Sequence, residues 1–204
     1  IALVLGTAVV LTLASQYGLH SMSAMTDRYY NQAMDDGYRT EIKSEVQTAI
    51  AVCETYYKQQ QAGTLTEEQA KTAAKETIRG MRYRDDGTGY FWIDARDYTL
   101  VMHPVLTKKE GTNRKNLVDQ NGVMIIQEIM KATEGGQGGY NEFYFTKADG
   151  VTVAPKLAYS APFAPWGWVI TTGNYTDDMT AEMVATVNAI DTSAHQTTIL
   201  QLVL

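Results

Sequence analysis

The stretch that decides the fold is YNEFYFTKADGVTVAPKLAYSAPFAPWGWVITTGNYTDD, residues 140–178. Tyr140–Thr146 and Val153–Ala161 are short β-like runs on either side of Asp149-Gly150, a dipeptide suited to a tight hairpin turn. Trp168–Tyr175 reads as a further strand. Consecutive strands joined by hairpins pair antiparallel, because a parallel return needs a long crossover. Side chains alternate between the two faces of such a strand. Tyr140, Glu142 and Tyr144 therefore alternate with Phe143 and Phe145, and Lys156 lies opposite in sense to Leu157 and Tyr159.

Working back from this stretch, Tyr90–Asp94 and Thr99–His103 are two more short strands with Ala95–Tyr98 as their turn. Between the strand groups, Asn121-Gly122 precedes a periodic run, Val123 to Thr133, which reads as a helix stopped by Gly135-Gly136. Thr66 with Gln69 forms a capping-box pattern that opens a helix over Glu67 to Met81. Before it, residues 16–61 hold no proline and only two glycines. Their apolar positions include Tyr38, Ile42, Val46, Ile50, Cys53 and Tyr57, mostly four apart, as one face of a long helix requires. Thr176 or Asp177 caps a final helix. The expected class is α+β: an antiparallel sheet of about five strands, spanning about residues 82–175, on a long N-terminal helix.

The 17 basic and 23 acidic residues all lie between Asp27 and Asp191; the first 26 residues and the last 13 carry none. A net charge of −6 argues against a nucleic-acid partner, which needs a basic face. One cysteine, Cys53, forms no internal disulfide and excludes a multi-cysteine zinc site. Residues 1–14, IALVLGTAVVLTLA, are apolar on all sides, unlike an amphipathic soluble helix, yet shorter than the ~20 residues of a membrane span. The expectation is a truncated first transmembrane helix at 1–15, a water-exposed domain at 16–190, and the start of a second transmembrane helix at 191–204. The competing reading is two buried ends of a soluble domain.

No nucleophile elbow and no phosphate-binding glycine loop is present, and no ligand spacing for a metal. Neither catalysis nor a cofactor is expected. What stands out is an aromatic and cationic set around the strands. Tyr90, Trp92 and Asp94 share one strand face, with His103, Lys156, Arg79, Arg82 and Arg84 near the sheet. Aromatic walls with a buried cation suit a small anion with an apolar part. Each aromatic also has a plain core role available, and Lys156 a solvated one.

At these residues the sequence resembles the single Cache domain family of extracytoplasmic sensing modules. The matching stretches are MRYRDDGTGYFWI (Met81–Ile93), VMHP (Val101–Pro104), DQNG (Asp119–Gly122), PKLAYS (Pro155–Ser160) and PFAPWGWVITTGNYTDDM (Pro162–Met179). Two positions depart from the family pattern, Ala148 in the hairpin turn and Thr176. The resemblance implies a PAS-like sheet on a long helix and a small-molecule pocket formed by the sheet and the segments over it. Carried over by position, it implies Arg82, Tyr90, Trp92, His103 and Lys156 as pocket residues, with Tyr144 and Tyr159 beside them. A strand phase shifted by one would instead place Phe91, Phe143 and Phe145 there. The implied function is a periplasmic sensor domain in the bacterial inner membrane. It would bind a short organic acid, pair as a homodimer through the long helix, and signal through the second membrane helix. The implied receptor is a methyl-accepting chemotaxis protein. A sensor histidine kinase, or a module reading a periplasmic protein, are the alternatives.

Overall fold

The computed structural model describes residues 2–147, 149–181 and 184–186, with side chains described from Arg28 onward except Tyr30 and Asn31. The chain divides into two compact units, residues 38–180 and residues 1–37 with 181–204. The described N-terminal part of the second unit is helical. The expected membrane segment at 191–204 lies outside the described residues. Residues 2–15 are the start of helix α1, Ala2–Gln61. Among the described residues, no helix is long and apolar enough to cross a membrane.

The first unit carries the sheet. After α1 come α2 (Glu67–Gly80), β1 (Phe91–Ala95) and β2 (Leu100–Met102). Then follow α3 (Ile125–Ala132), β3 (Gly139–Thr146), β4 (Val153–Phe163) and β5 (Trp168–Tyr175). The five strands are ordered β2-β1-β5-β4-β3, with every neighbouring pair antiparallel. This is the expected α+β architecture. β5 has the bounds read from the sequence, and β4 runs two residues further, to Phe163, before a short turn ending at Gly167. That glycine sits in the left-handed region at φ 63°, which only glycine adopts without strain.

One sheet face packs on α1 and α2. Tyr38, Ile42, Val46, Ala49 and Cys53 line the buried side of α1, with steps of three and four. From Ile42 onward they meet Phe91, Ile93, Leu157 and Ile170 from the strands and Ala70, Ala74 and Ile78 from α2. The capping box at the start of α2 forms as expected: Thr66 Oγ1 accepts from the Gln69 N–H, and Gln69 Oε1 accepts from the Thr66 N–H. The Trp-Gly-Trp run closes one end of this core. Trp166 stacks edge-on against Phe163 and Trp168, and its indole N–H donates to Gln60 Oε1 at 2.8 Å.

The opposite face is covered by α3 and the loops before it. Ile125, Ile126, Ile129 and Met130 bury against Trp92, Phe143 and Val169. Arg96, in the β1–β2 turn, fixes the end of α3 by donating to the Met130 and Thr133 carbonyls, as a cation at a helix C-terminus should. The loop before α3 is tied to the edge strand by Asp119, whose carboxylate accepts from the N–H groups of Asn121, Val123 and Tyr144.

Candidate functional site

Period-two alternation puts Tyr90, Trp92 and Asp94 on the α3-covered face. The register Phe143–Lys156–Tyr175 across β3, β4 and β5 puts these three side by side on the same face. His103 follows β2 directly. Of these, Tyr90, Trp92, His103, Phe143 and Lys156 wall a small inner chamber with Arg114 and Phe145, under Ile125 and Ile126. The chamber has a volume of about 10 Å³, room for about one water. It meets a larger cleft of about 600 Å³ at Tyr90, His103, Arg114 and Phe145. Polar groups of the cleft include Lys109, Thr112, Asn113, Asn116 and Lys147.

Lys156 is 1% exposed. Its ammonium donates to the Tyr90 hydroxyl at 3.0 Å. It also lies 4.3 Å from the Tyr90 ring centre, 4.6 Å from Tyr175 and 5.1 Å from Trp92. Among the described residues no carboxylate stands within ion-pair distance of it. Aromatic faces attract a cation, but they do not neutralise it. A buried ammonium without a counter-ion carries a desolvation cost that an arriving anion removes.

The second cation is matched. Arg114 sits against Asp94 in a bidentate pair, Nε to Oδ1 at 3.0 Å and Nη2 to Oδ2 at 2.5 Å. The pair is almost wholly buried. Burial pushes the Asp94 carboxyl up, and the Arg114 guanidinium opposes that rise. The pair holds a loop with no regular structure against β1 and leaves a guanidinium edge at the junction of chamber and cleft.

His103 is held in one protonation state by its surroundings. Its Nδ1 accepts from the backbone N–H groups of Val105 and Leu106, both at 3.1 Å. The proton of the neutral ring therefore resides on Nε2, which is left as a donor. Burial first, then the charges of Arg114, Lys156 and Arg79, push the imidazolium down to about 3. The ring is stacked on Trp92 and tilted against Tyr90. Its backbone N–H donates to Glu110 Oε1, and Glu110 is gripped in turn by Arg79 of α2. The site thus offers one uncompensated ammonium, one guanidinium edge, neutral donors and apolar walls.

Four of the residues expected from sequence come together here: Tyr90, Trp92, His103 and Lys156. Three do not. Arg82 is exposed and curls back on its own chain, donating to the Arg79 and Met81 carbonyls at the end of α2. Tyr159 lies in the core on the α1 face, because it is three residues from Lys156 and so points the other way. Tyr144 stands on the same side of β3 as Tyr140 and Glu142, opposite to Phe143. Phe143 and Phe145 line the chamber, as the shifted phase would have them, while Phe91 faces α1. Arg114 was not anticipated. The available clue was Asp94: an aspartate placed by alternation on a buried face requires a cation.

The single Cache domain 2 family model matches residues 34–189. The chain is 32% identical over 137 residues to the methyl-accepting chemotaxis protein McpP of Pseudomonas putida, covering 67% of this chain and 25% of that protein. It is 28% identical over 156 residues to the sensor histidine kinase MctS of Rhizobium johnstonii, covering 76% and 32%. The chain thus spans between a quarter and a third of the length of these curated relatives. Among solved structures it is similar to a Cache chemosensory domain described for the structural basis of its carboxylic acid recognition. That match has a TM-score of 0.65 and 29% identity over 69% of this chain and 97% of that one. A methyl-accepting chemotaxis protein from Vibrio parahaemolyticus matches with TM-score 0.63 and 29% identity over 72% and 95%.

Proposed function

This chain belongs to the single Cache domain family, and from that premise we propose that it senses a short organic acid for a transmembrane chemoreceptor. The observation that carries the ligand class is Lys156: a buried ammonium among aromatic rings with no carboxylate of its own among the described residues. The acid enters by the cleft and turns its carboxylate inward to Lys156. The His103 Nε2–H and the Tyr90 hydroxyl complete the hydrogen bonds, and Arg114 borders the path. Trp92, Phe143 and Phe145 enclose the carbon chain. The inner chamber is too small for more than a carboxylate oxygen, so the remaining atoms lie toward the junction with the cleft. The domain acts by binding, without turnover. It stands in the periplasm, anchored through both ends of the chain and paired with a second copy along α1.

Binding biases the equilibrium between two conformations only by the ligand's differential affinity for them. β5 places Tyr175 beside Lys156 and leads directly into the helical turn at residues 176–181, so the site and the outgoing chain share one strand. The similarity to MctS favours a second reading of the output, a histidine kinase in place of a chemoreceptor. The sensing chemistry is the same in both.

Isothermal calorimetry against acetate, propionate, pyruvate and lactate tests this reading. At least one acid is expected to bind the wild type and to lose more than tenfold in affinity with Lys156→Met. Binding that survives that substitution would place the anion elsewhere; no binding by any of the four would overturn the short-acid assignment.

A further inference from the structure

Tyr175 is shared by two ammonium groups. Lys156 approaches its ring centre to 4.6 Å from the site, and Lys147, just after β3, to 5.2 Å. The two cations are therefore within about 10 Å of each other, close to one screening length at 0.1 M salt. Lys147 has partners that Lys156 lacks. Its Nζ donates to Asp177 Oδ2 at 2.8 Å and to Asp178 Oδ1 at 2.7 Å. Burial works against the charge on Lys147, and these two carboxylates outweigh it, holding the ammonium above its ordinary value. Lys147 also lines the cleft. It touches at once the approach to the site, the ring beside Lys156, and the turn that follows β5.

The other side of β5 is fastened down. Asn174 Nδ2 donates to Glu41 Oε2 of α1 at 3.0 Å, and the Tyr83 hydroxyl donates to Asn174 Oδ1 at 3.2 Å. The Tyr175 hydroxyl donates to the Thr146 carbonyl at 2.7 Å, next to Lys147. The strand end is thus fixed towards α1. Towards the site it is held through Tyr175 and Lys147, whose carboxylate partners are half exposed. Ion pairs of that kind are individually weak, which suits a contact that must loosen and tighten.

We infer that Lys147 is a clasp that couples occupancy of the Lys156 site to the helical turn at residues 176–181. The inference rests on the sensor reading above. In the empty site the Lys156 charge repels the Lys147 ammonium across one ring and attracts the two aspartates that hold it, so it pulls the halves of the clasp in opposite senses. A carboxylate on Lys156 cancels that charge, Lys147 seats more firmly on Tyr175 and the two aspartates, and the turn tightens. By thermodynamic reciprocity, a firm clasp strengthens acid binding by the same factor.

The test is backbone hydrogen exchange of residues 177–181 in the purified chain, with and without saturating propionate as the probe. In the wild type, propionate is expected to slow exchange about threefold, the scale of one such ion pair. Lys147→Gln and the double change Asp177→Asn with Asp178→Asn should each abolish that response. In the aspartate variant, propionate affinity should fall by no more than the same factor of about three. Aspartates at a helix start also favour the helix dipole, so the response to propionate, and not the basal exchange rate, is the deciding readout. A full response in either variant overturns the clasp.

Should propionate not bind the wild type, whichever of acetate, pyruvate and lactate binds replaces it as the probe, and failure of all four would count against the short-acid reading alone. The clasp is then decided without ligand. Lys156→Met removes the same charge, and should slow exchange at 177–181 about threefold beside Lys147 and not at all beside Lys147→Gln. Equal effects in both backgrounds overturn it.

Discussion

On the α1 side of the sheet, Phe91, Ile93, Leu157 and Ile170 are buried in one apolar cluster, and the buried Asn174 beside it is satisfied by Glu41 and Tyr83. One residue along the same strands, Trp92, Asp94, Lys156 and Val169 face α3, and there the packing encloses an ammonium, a guanidinium–carboxylate pair and a neutral imidazole. The two faces share backbone and register. They differ in whether the buried groups satisfy one another. The α1 face is complete in itself, while among the described residues the α3 face leaves Lys156 without an anion. On the proposed reading, stability and recognition are thereby separated by a single step of the strand period.

The separation is testable from both sides. Phe91→Ala, on the complete face, should cost about 3–5 kcal/mol through the cavity it leaves. Thermal denaturation should show this as a fall of about 10 °C or more, with acid affinity retained below the transition. A lost affinity at unchanged stability would mean the faces are not independent. Lys156→Met should act in the opposite sense. Removing an uncompensated buried charge is expected to raise stability by about 1–3 kcal/mol, measured by urea denaturation, while acid binding disappears. A marked loss of stability would show that the ammonium is already matched.

His103 makes a prediction in pH. Its ring stays neutral in the folded protein down to about 3, whereas the unfolded chain takes up a proton near pH 6.5. Protons therefore favour the unfolded state throughout that interval. The contribution is fully present above pH 6.5 and is lost as pH falls towards 3. Between pH 6.5 and 5 the wild type should lose about 2 kcal/mol relative to His103→Gln. Parallel stability curves for the two proteins would contradict the assigned protonation state. The smallest effect belongs to a region outside both faces: Thr66→Ala should remove the α2 cap at a cost of about 1 kcal/mol, with no change in acid affinity.

The strands were legible because each has a local cause. Asp149-Gly150 marks the hairpin, and the run from Trp168 to Tyr175 has the same ends in the sequence and in the structure. Tyr90, Trp92, His103 and Lys156 were recoverable from alternation and family position. The phase of β3 was not, because Tyr140 and Tyr144 on one side and Phe143 and Phe145 on the other are equally plausible linings. Tyr159 came from family position against the alternation, which sets it opposite to Lys156, and the structure follows the alternation. Arg82 was misleading because a guanidinium can reach several ways, and its own helix end supplied the nearest carbonyls. Arg114 comes from a loop without periodicity, so its position depends on a tertiary partner, Asp94, twenty residues earlier.

The two backbone N–H groups on His103 Nδ1 have a consequence for the proposed sensing of an acid. An organic acid released into the surroundings of a cell raises two quantities together, its anion and the hydrogen ion. A titrating imidazole in the site would mix them, and the output would drift with acidity even at constant anion. With its donor fixed in one form from neutral to well below pH 5, the site on the proposed reading reports the anion and ignores the proton. On that reading, the local turn at Val105 and Leu106 is a filter against the commonest companion of the proposed stimulus.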